Sequence, residues 1–457
     1  MAMGKRKPKQ EGLWVSTNEI PKAASHPFYA KVNEVLEQHK VDRRLEHLCQ
    51  RFYKPVFGRP SMVPGVYFRM LLIGFFEGID SERGIAWRVA DSLSLREFVG
   101  CGVTEQTPDH STVSRTRRLL PVETHKAVFR WFVRVLGEEG LLQGQSIAID
   151  ATTLEANAAL RSIRRRDDGR SYEEYLKDLA QAEGIENPTR EQLARLDRKR
   201  KKKGSNQEWK SPADPDARIT KMKDGRTHLA HKAEHAVDLS SGAVVAVTLQ
   251  TADLGDTTTI HQTLQQAQAH TTLINERGVE EVVADKGYHS GQVLVDLHGE
   301  GVRSYIPEPD RGLRNWGGKE QQQKRVYGNR RRMSGRRGRD LQKLRSELME
   351  RSFAHMYETG GMRRTHLRRH NNILKRLLFH AIGFNLALLL RERFGMGKPR
   401  TFQGSTFDPT LLLRTTVAAF FAAWIDSTEL CDLSFESAPL SGYVPIEAGL
   451  GTTTTGC

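Results

Sequence analysis

The stretch VEEVVADKGYHS (279–290) poses the question that organises the chain: an apolar run, Val282 to Ala284, stops at Asp285 with Lys286 and Gly287 directly behind it. A short run containing β-branched residues fits a buried strand. A glycine just past its end suits a place where the backbone comes close to a ligand. Upstream, SIAID (146–150) is a second β-like run, and it too ends in an aspartate, Asp150. HLAHKAEHAVDL (228–239) and AVVAVTLQ (243–250) read as a hairpin joined by the turn residues Ser240, Ser241 and Gly242. A helix over 260–277, strands over 280–285 and 301–309, a basic loop over 311–340 and a helix over 341–357 follow. Strands alternating with helices after a hairpin describe an α/β fold with a mixed sheet, where ligands gather beyond the carboxyl ends of the strands.

Asp150 and Asp285 both stand at such ends. Two carboxylates side by side repel and raise each other's pKa unless a cation lies between them. Magnesium suits the position, because it takes oxygen ligands and shares one or two carboxylates with substrate phosphates. A third acid on a nearby helix would allow two ions to act on an in-line displacement at phosphorus, and Glu350 or Glu347 could supply it. Projected at 100° per residue, Glu350 falls at the border of the helix's apolar arc and Glu347 in the polar gap. The plainer alternative is that each aspartate caps a turn and each glutamate faces water.

The 457 residues carry 70 Lys plus Arg against 55 Asp plus Glu, a net charge of +15 that favours a polyanionic partner. Four cysteines, Cys49, Cys101, Cys431 and Cys457, form no CxxC pair, which argues against a zinc site and fits a reducing cytoplasm. No apolar stretch is expected to span a membrane, and the basic start MAMGKRKPKQ has no apolar segment behind it. Residues 1–25 read as a flexible basic arm and 26–140 as a helical DNA-binding domain. In the latter, TPDHSTVSRTRRLL (107–120) would present Arg115, Arg117 and Arg118 near a helix start that reaches DNA. Residues 141–395 read as the α/β domain that carries both aspartates, the expected catalytic domain, with 161–227 as a charged insertion outside the core and 396–457 as a poorly ordered tail. Within the insertion Thr189 and Gln192 have capping-box spacing.

VVADKGYHS, KAEHAVDLSSGAVVAVTLQ and ELMERSFAHMYETGGMRRTHLRRHNNILKRLLFHAIGFNLALLLR together resemble the DDE transposases of bacterial insertion sequences, a likeness running from about 60 to 393. The resemblance implies an RNase H-like catalytic domain with Asp150, Asp285 and Glu350 as the catalytic, metal-holding acids. It implies Mg²⁺, with Mn²⁺ as a substitute, and transposon-end and target DNA as partners of a homodimer or larger assembly. The expected activity is binding of terminal inverted repeats, strand cleavage and strand transfer. A nuclease that cuts without joining and a non-catalytic repressor are the alternatives. Lys286, Arg351, Arg363, Arg364, Arg368 and Arg369 would meet DNA, the last four from a helix over 360–376 that also carries Lys375 and Arg376. Two departures stand out: Tyr357 where many relatives have Lys or Arg, and Arg369–His370 where many have Arg–Gly.

Overall fold

The computed structural model describes residues 26–54, 61–200, 205–222 and 225–399. The expected basic arm and nearly all of the expected tail lie outside the described residues. The described chain opens with α1 (Pro27–Gln38), α2 (Val41–Cys49), α3 (Pro64–Glu77), α4 (Glu82–Asp91), α5 (Leu93–Val99), α6 (His110–Leu119) and α7 (Val122–Glu138). Local chemistry sets the starts: Pro27 and Pro64 take first-turn positions, and the Asp109 carboxylate accepts the Thr112 N–H at 2.8 Å. PGVYFRMLLIGFFE is apolar on nearly every side, so α3 is buried almost throughout.

The chain then forms β1 (Ser146–Glu155), the small pair β2 (Arg164–Arg165) and β3 (Trp209–Lys210) with α8 (Tyr172–Ala182) and α9 (Arg190–Lys199) between them, β4 (Arg218–Lys221), β5 (Thr227–Asp238) and β6 (Val244–Thr251), the last two buried on both faces. After α10 (Asp256–Thr271) come β7 (Glu281–Ala284), α11 (Gly291–Gly299), β8 (Arg303–Tyr305), α12 (Glu320–Ser334), α13 (Arg336–Phe353) and α14 (His370–Phe394). The main sheet is mixed. β5 is antiparallel to β1 on one edge and to β6 and β4 on the other, while β1, β7 and β8 run parallel. The hairpin turn is as expected, with Gly242 at φ +79°, a conformation that favours glycine.

By length and composition α14 could cross a membrane, which the sequence reading did not anticipate, but 89% of its apolar window is buried. It is the core helix, packed on α3, α7 and β6, so the helical segment and the sheet share one hydrophobic core. Lys375 and Arg376 are drawn into that core rather than facing DNA. The Lys375 Nζ donates to the Arg117 carbonyl at 2.8 Å, and Arg376 donates to the Ile79 carbonyl at 2.6 Å and to His380 Nε2 at 3.1 Å. Burial lowers the Arg376 pKa to about 10.

Three local expectations change. The basic segment expected as a loop is largely helical, as α12 and the start of α13. Arginine is a good helix former; Glu308 pairs with Arg314 and Arg330, and Asn329 is buried against the Ile306 backbone. Residues 360–369 are not helical: α14 begins at His370, after Arg369 at φ +68°. The charged insertion also contributes to the fold. Its capping box at Thr189 and Gln192 forms and its helices α8 and α9 pack on each other, yet β4 extends the main sheet, and Trp209 and Ala217 are buried with Ala156 and Leu229.

His125 and His235 are among the histidines that burial keeps uncharged. His125 lies between the Tyr67 hydroxyl (3.1 Å) and the Pro121 carbonyl (2.9 Å), and His235 faces the Tyr357 hydroxyl. Burial pushes both pKa values down to about 3. In the unfolded chain each takes up a proton near pH 6.5, so their stabilisation is full above that pH and is lost as pH falls toward 3. Urea midpoints are expected to drop between pH 7 and pH 5, and less so in His125→Gln; a flat profile in the parent would contradict this.

Candidate active site

The parallel pairing of β1 with β7 ends at Ile149 and Ala284, so Asp150 and Asp285 are the next residues on neighbouring strands. The expected strand end at Asp150 is not one: β1 continues to Glu155, paired with β5 and, at Glu155, bridged to Arg364. What stops is β7, because its chain turns away there. Asp285 caps a 3₁₀ turn over Lys286–Tyr288, accepting the Gly287 N–H at 2.8 Å.

Asp150 is half-buried and accepts from the Ala151 N–H at 2.8 Å and from the Arg345 guanidinium at 2.8 Å. Burial pushes its carboxyl up to about 6, opposed by Arg345 and Ala151, with the Asp285 charge adding repulsion. The pair therefore carries excess negative charge, and Arg345 is the cation set against it. His235 stands opposite Asp150 in the β1–β5 register, with its ring packed on Phe353 and Tyr357. Tyr357, one of the departures from the family pattern, is fully buried against His235 and so serves packing in this structure.

Gly287 has a different role from the one its position suggests. A Cβ there would lie 2.6 Å from Asp256 Oδ2 and 3.0 Å from Asp285 Oδ1, so the space is filled by two of the protein's own carboxylates and not left for DNA. Asp256, at the start of α10, was not singled out from sequence. Its carboxylate pairs at 2.6 Å with Lys232, which is buried on β5 and also donates to Thr259 at 2.9 Å. Beside Lys232, the fully buried Glu234 accepts from the hydroxyls of Thr259 (2.8 Å), Tyr288 (2.8 Å) and Thr263. Thus the tyrosine of DKGY ties the turn bearing Asp285 to the middle of the sheet. The clue in the sequence was two charged residues, Lys232 and Glu234, inside an apolar strand pattern; a buried charge requires a partner.

The third expected acid is not in the cluster. Glu350 is exposed on α13, about 140° around the helix from Arg345 at 100° per residue. Glu347 is also exposed and pairs with Arg351 at 2.6 Å. Among the described residues no three His, Cys, Asp or Glu side chains are grouped to hold a metal ion. The two aspartates nevertheless suit a hard divalent ion: both offer oxygen donors, side by side, with net negative charge.

Of the expected DNA contacts, Lys286 is exposed beside Asp285. Arg363 donates to Thr152 Oγ1 at 3.1 Å and pairs with Glu358, Arg364 lies 3.6 Å from Glu155, and Arg368 donates to the Asn157 carbonyl at 3.1 Å. Backbone bonds at Glu155 strap this segment along the extension of β1. Arg364, Arg368 and Arg369 are exposed there. On α6, Arg115 and Arg118 are exposed, whereas Arg117 is mostly buried in an ion pair with Glu82 at 2.6 Å.

Comparison with known protein families agrees with this architecture. Residues 17–119 match the model described as Transposase domain (DUF772), and residues 143–386 match the model described as Transposase DDE domain. No curated protein and no solved structure gives a match. The second match covers more than half of the chain and contains both aspartates and the whole mixed sheet: the chain belongs to the DDE transposase family of insertion sequences.

Proposed function

We propose that this transposase binds the terminal inverted repeats of its element, hydrolyses a strand at each end to free a 3′-OH, and joins that hydroxyl to target DNA. The observation that carries the reading is the pair of carboxylates one residue beyond the last β1–β7 register pair. The strand order β6-β5-β1-β7-β8, antiparallel on one side of β1 and parallel on the other, supports an RNase H-like sheet with the first acid on its central strand.

Asp150 and Asp285 would hold Mg²⁺ or Mn²⁺, which when bound activates the attacking oxygen and neutralises charge on the leaving one. Glu350 is the proposed third acid, by its place in MERSF. Since Arg345 is the α13 side chain that meets Asp150, its recruitment entails a rearrangement of α13 when DNA and metal bind. The strap 363–369 and Lys286 would grip the phosphates of the bound end. Pairing of two ends would call for at least a dimer.

The test uses pre-cleaved terminal-repeat duplexes with a supercoiled plasmid target. Joined products in Mg²⁺ or Mn²⁺, absent in Ca²⁺, whose larger and more flexible shell misplaces the oxygens, are expected. Cleavage of uncut ends without any joining would indicate a nuclease.

A further inference from the structure

Between α2 and α7 runs a cleft that belongs neither to the active site nor to the strap. One part, of about 500 Å³, is lined by Arg44, Lys126, Arg130 and Trp131 among others, with Gln266, His270 and Leu273 of the α10 region at its floor or rim. It continues into a second part of about 450 Å³ that shares Arg44, Trp131 and Arg134. The two walls have the same sign. Lys126, Arg130 and Arg134 stand at every fourth position of α7, and Lys40, Arg43, Arg44 and His47 line the α2 side.

Lys40, Arg43, Arg44, Lys126 and Arg130 are exposed and make no ion pair among the described residues. Two acids, Glu123 and Glu138, line the ends, and Glu138 is engaged by Arg134 at 2.9 Å. Like charges on facing walls of a cleft repel one another, and a polyanion bound between them relieves that repulsion. The α7 row spans about 12 Å at 1.5 Å per residue. A DNA strand carries one phosphate per roughly 3.4 Å of axis, so that row matches three or four successive phosphates. A single small anion would leave most of these cations unmatched.

We infer that the α2–α7 cleft is a second DNA site, gripping the sugar–phosphate backbone of DNA away from the reacting phosphate. The inference rests on the transposase reading for its choice of polyanion. Distance separates the two sites: Asp256 at one end of α10 adjoins the Asp285 turn, whereas His270, which lines the cleft, lies about 21 Å further along that helix. The cleft therefore acts on affinity and on the path of flanking DNA, not on bond cleavage.

The test is the full chain carrying Arg44→Ala, Lys126→Ala and Arg130→Ala together, with anisotropy of random-sequence 40-mers, duplex and single-stranded, read across salt. Loss of three phosphate contacts flattens the slope of log K against log salt by about 2.7 for duplex, at 0.9 per contact, and by about 2.1 for a single strand, at 0.7. The larger affinity loss identifies which form the cleft holds. Cleavage of end DNA at saturating protein should keep the parental single-turnover rate. An unchanged slope, in a parent that binds DNA with normal salt dependence, overturns the cleft; so does loss of poly-glutamate binding with the DNA slope intact. Failure of the parent itself to bind DNA would instead overturn the transposase reading on which the cleft rests.

Discussion

Asp150→Asn and Asp285→Asn are each expected to lower strand cleavage by on the order of 10³-fold or more while leaving DNA affinity within a few-fold of the parent. Asparagine nearly preserves shape. At 150 it can still accept from the Ala151 N–H, and at 285 from the Gly287 N–H, so both local turns should survive. What is lost is the negative charge that makes the two adjacent positions suited to a divalent ion. Single-turnover cleavage of end DNA, with binding measured separately, distinguishes this from misfolding. Retained cleavage in either variant would remove that acid from the site. Glu350→Gln should behave likewise if the third acid is correctly assigned, and Glu347→Gln should cleave normally.

The largest expected effect on stability is at Lys232. Lys232→Met removes a buried ammonium that bonds Asp256 and Thr259 and lies 4.0 Å from Glu234, while Glu234 stays fully buried. Breaking a buried pair by deleting one partner typically costs about 3–5 kcal/mol, because the remaining charge loses its compensation. Urea denaturation of the variant should show a loss of that order with an unchanged m-value. Since Asp256 and Tyr288 both adjoin the Asp285 turn, residual activity should fall further than unfolding alone explains. A loss below about 1 kcal/mol would mean that the hydroxyls of Thr259, Thr263 and Tyr288 suffice to hold Glu234.

The sheet was legible because its strands carry their own punctuation. Val282 to Ala284 is apolar and ends at a turn, and 228–250 holds two apolar-rich runs either side of Ser240, Ser241 and Gly242, so the hairpin followed from local pattern. The two aspartates were legible for the same reason, as polar residues next to the ends of buried runs. Less was visible where tertiary partners decide. The arginines of 320–340 look like a loop until Glu308 and the Ile306 backbone take up Arg330 and Asn329. Lys375 and Arg376 look like a DNA-facing ladder, yet backbone carbonyls of the helical segment draw both inward. From sequence Gly287 suits a close approach to a ligand, because Asp256, thirty-one residues upstream, cannot be placed beside it from spacing alone. Likewise nothing local marks Arg345 as the residue that meets Asp150 across 195 positions.

The central claim is that Asp150 and Asp285 form the metal-holding pair of the transposase. Its most direct test is Mn²⁺ binding to the full-length protein, followed by the loss of the free-ion paramagnetic resonance signal, in the parent and in Asp150→Asn and Asp285→Asn. The account predicts saturable uptake by the parent, competed by Mg²⁺ and strongly weakened in both variants. Equal uptake by all three proteins would place the metal elsewhere and contradict it.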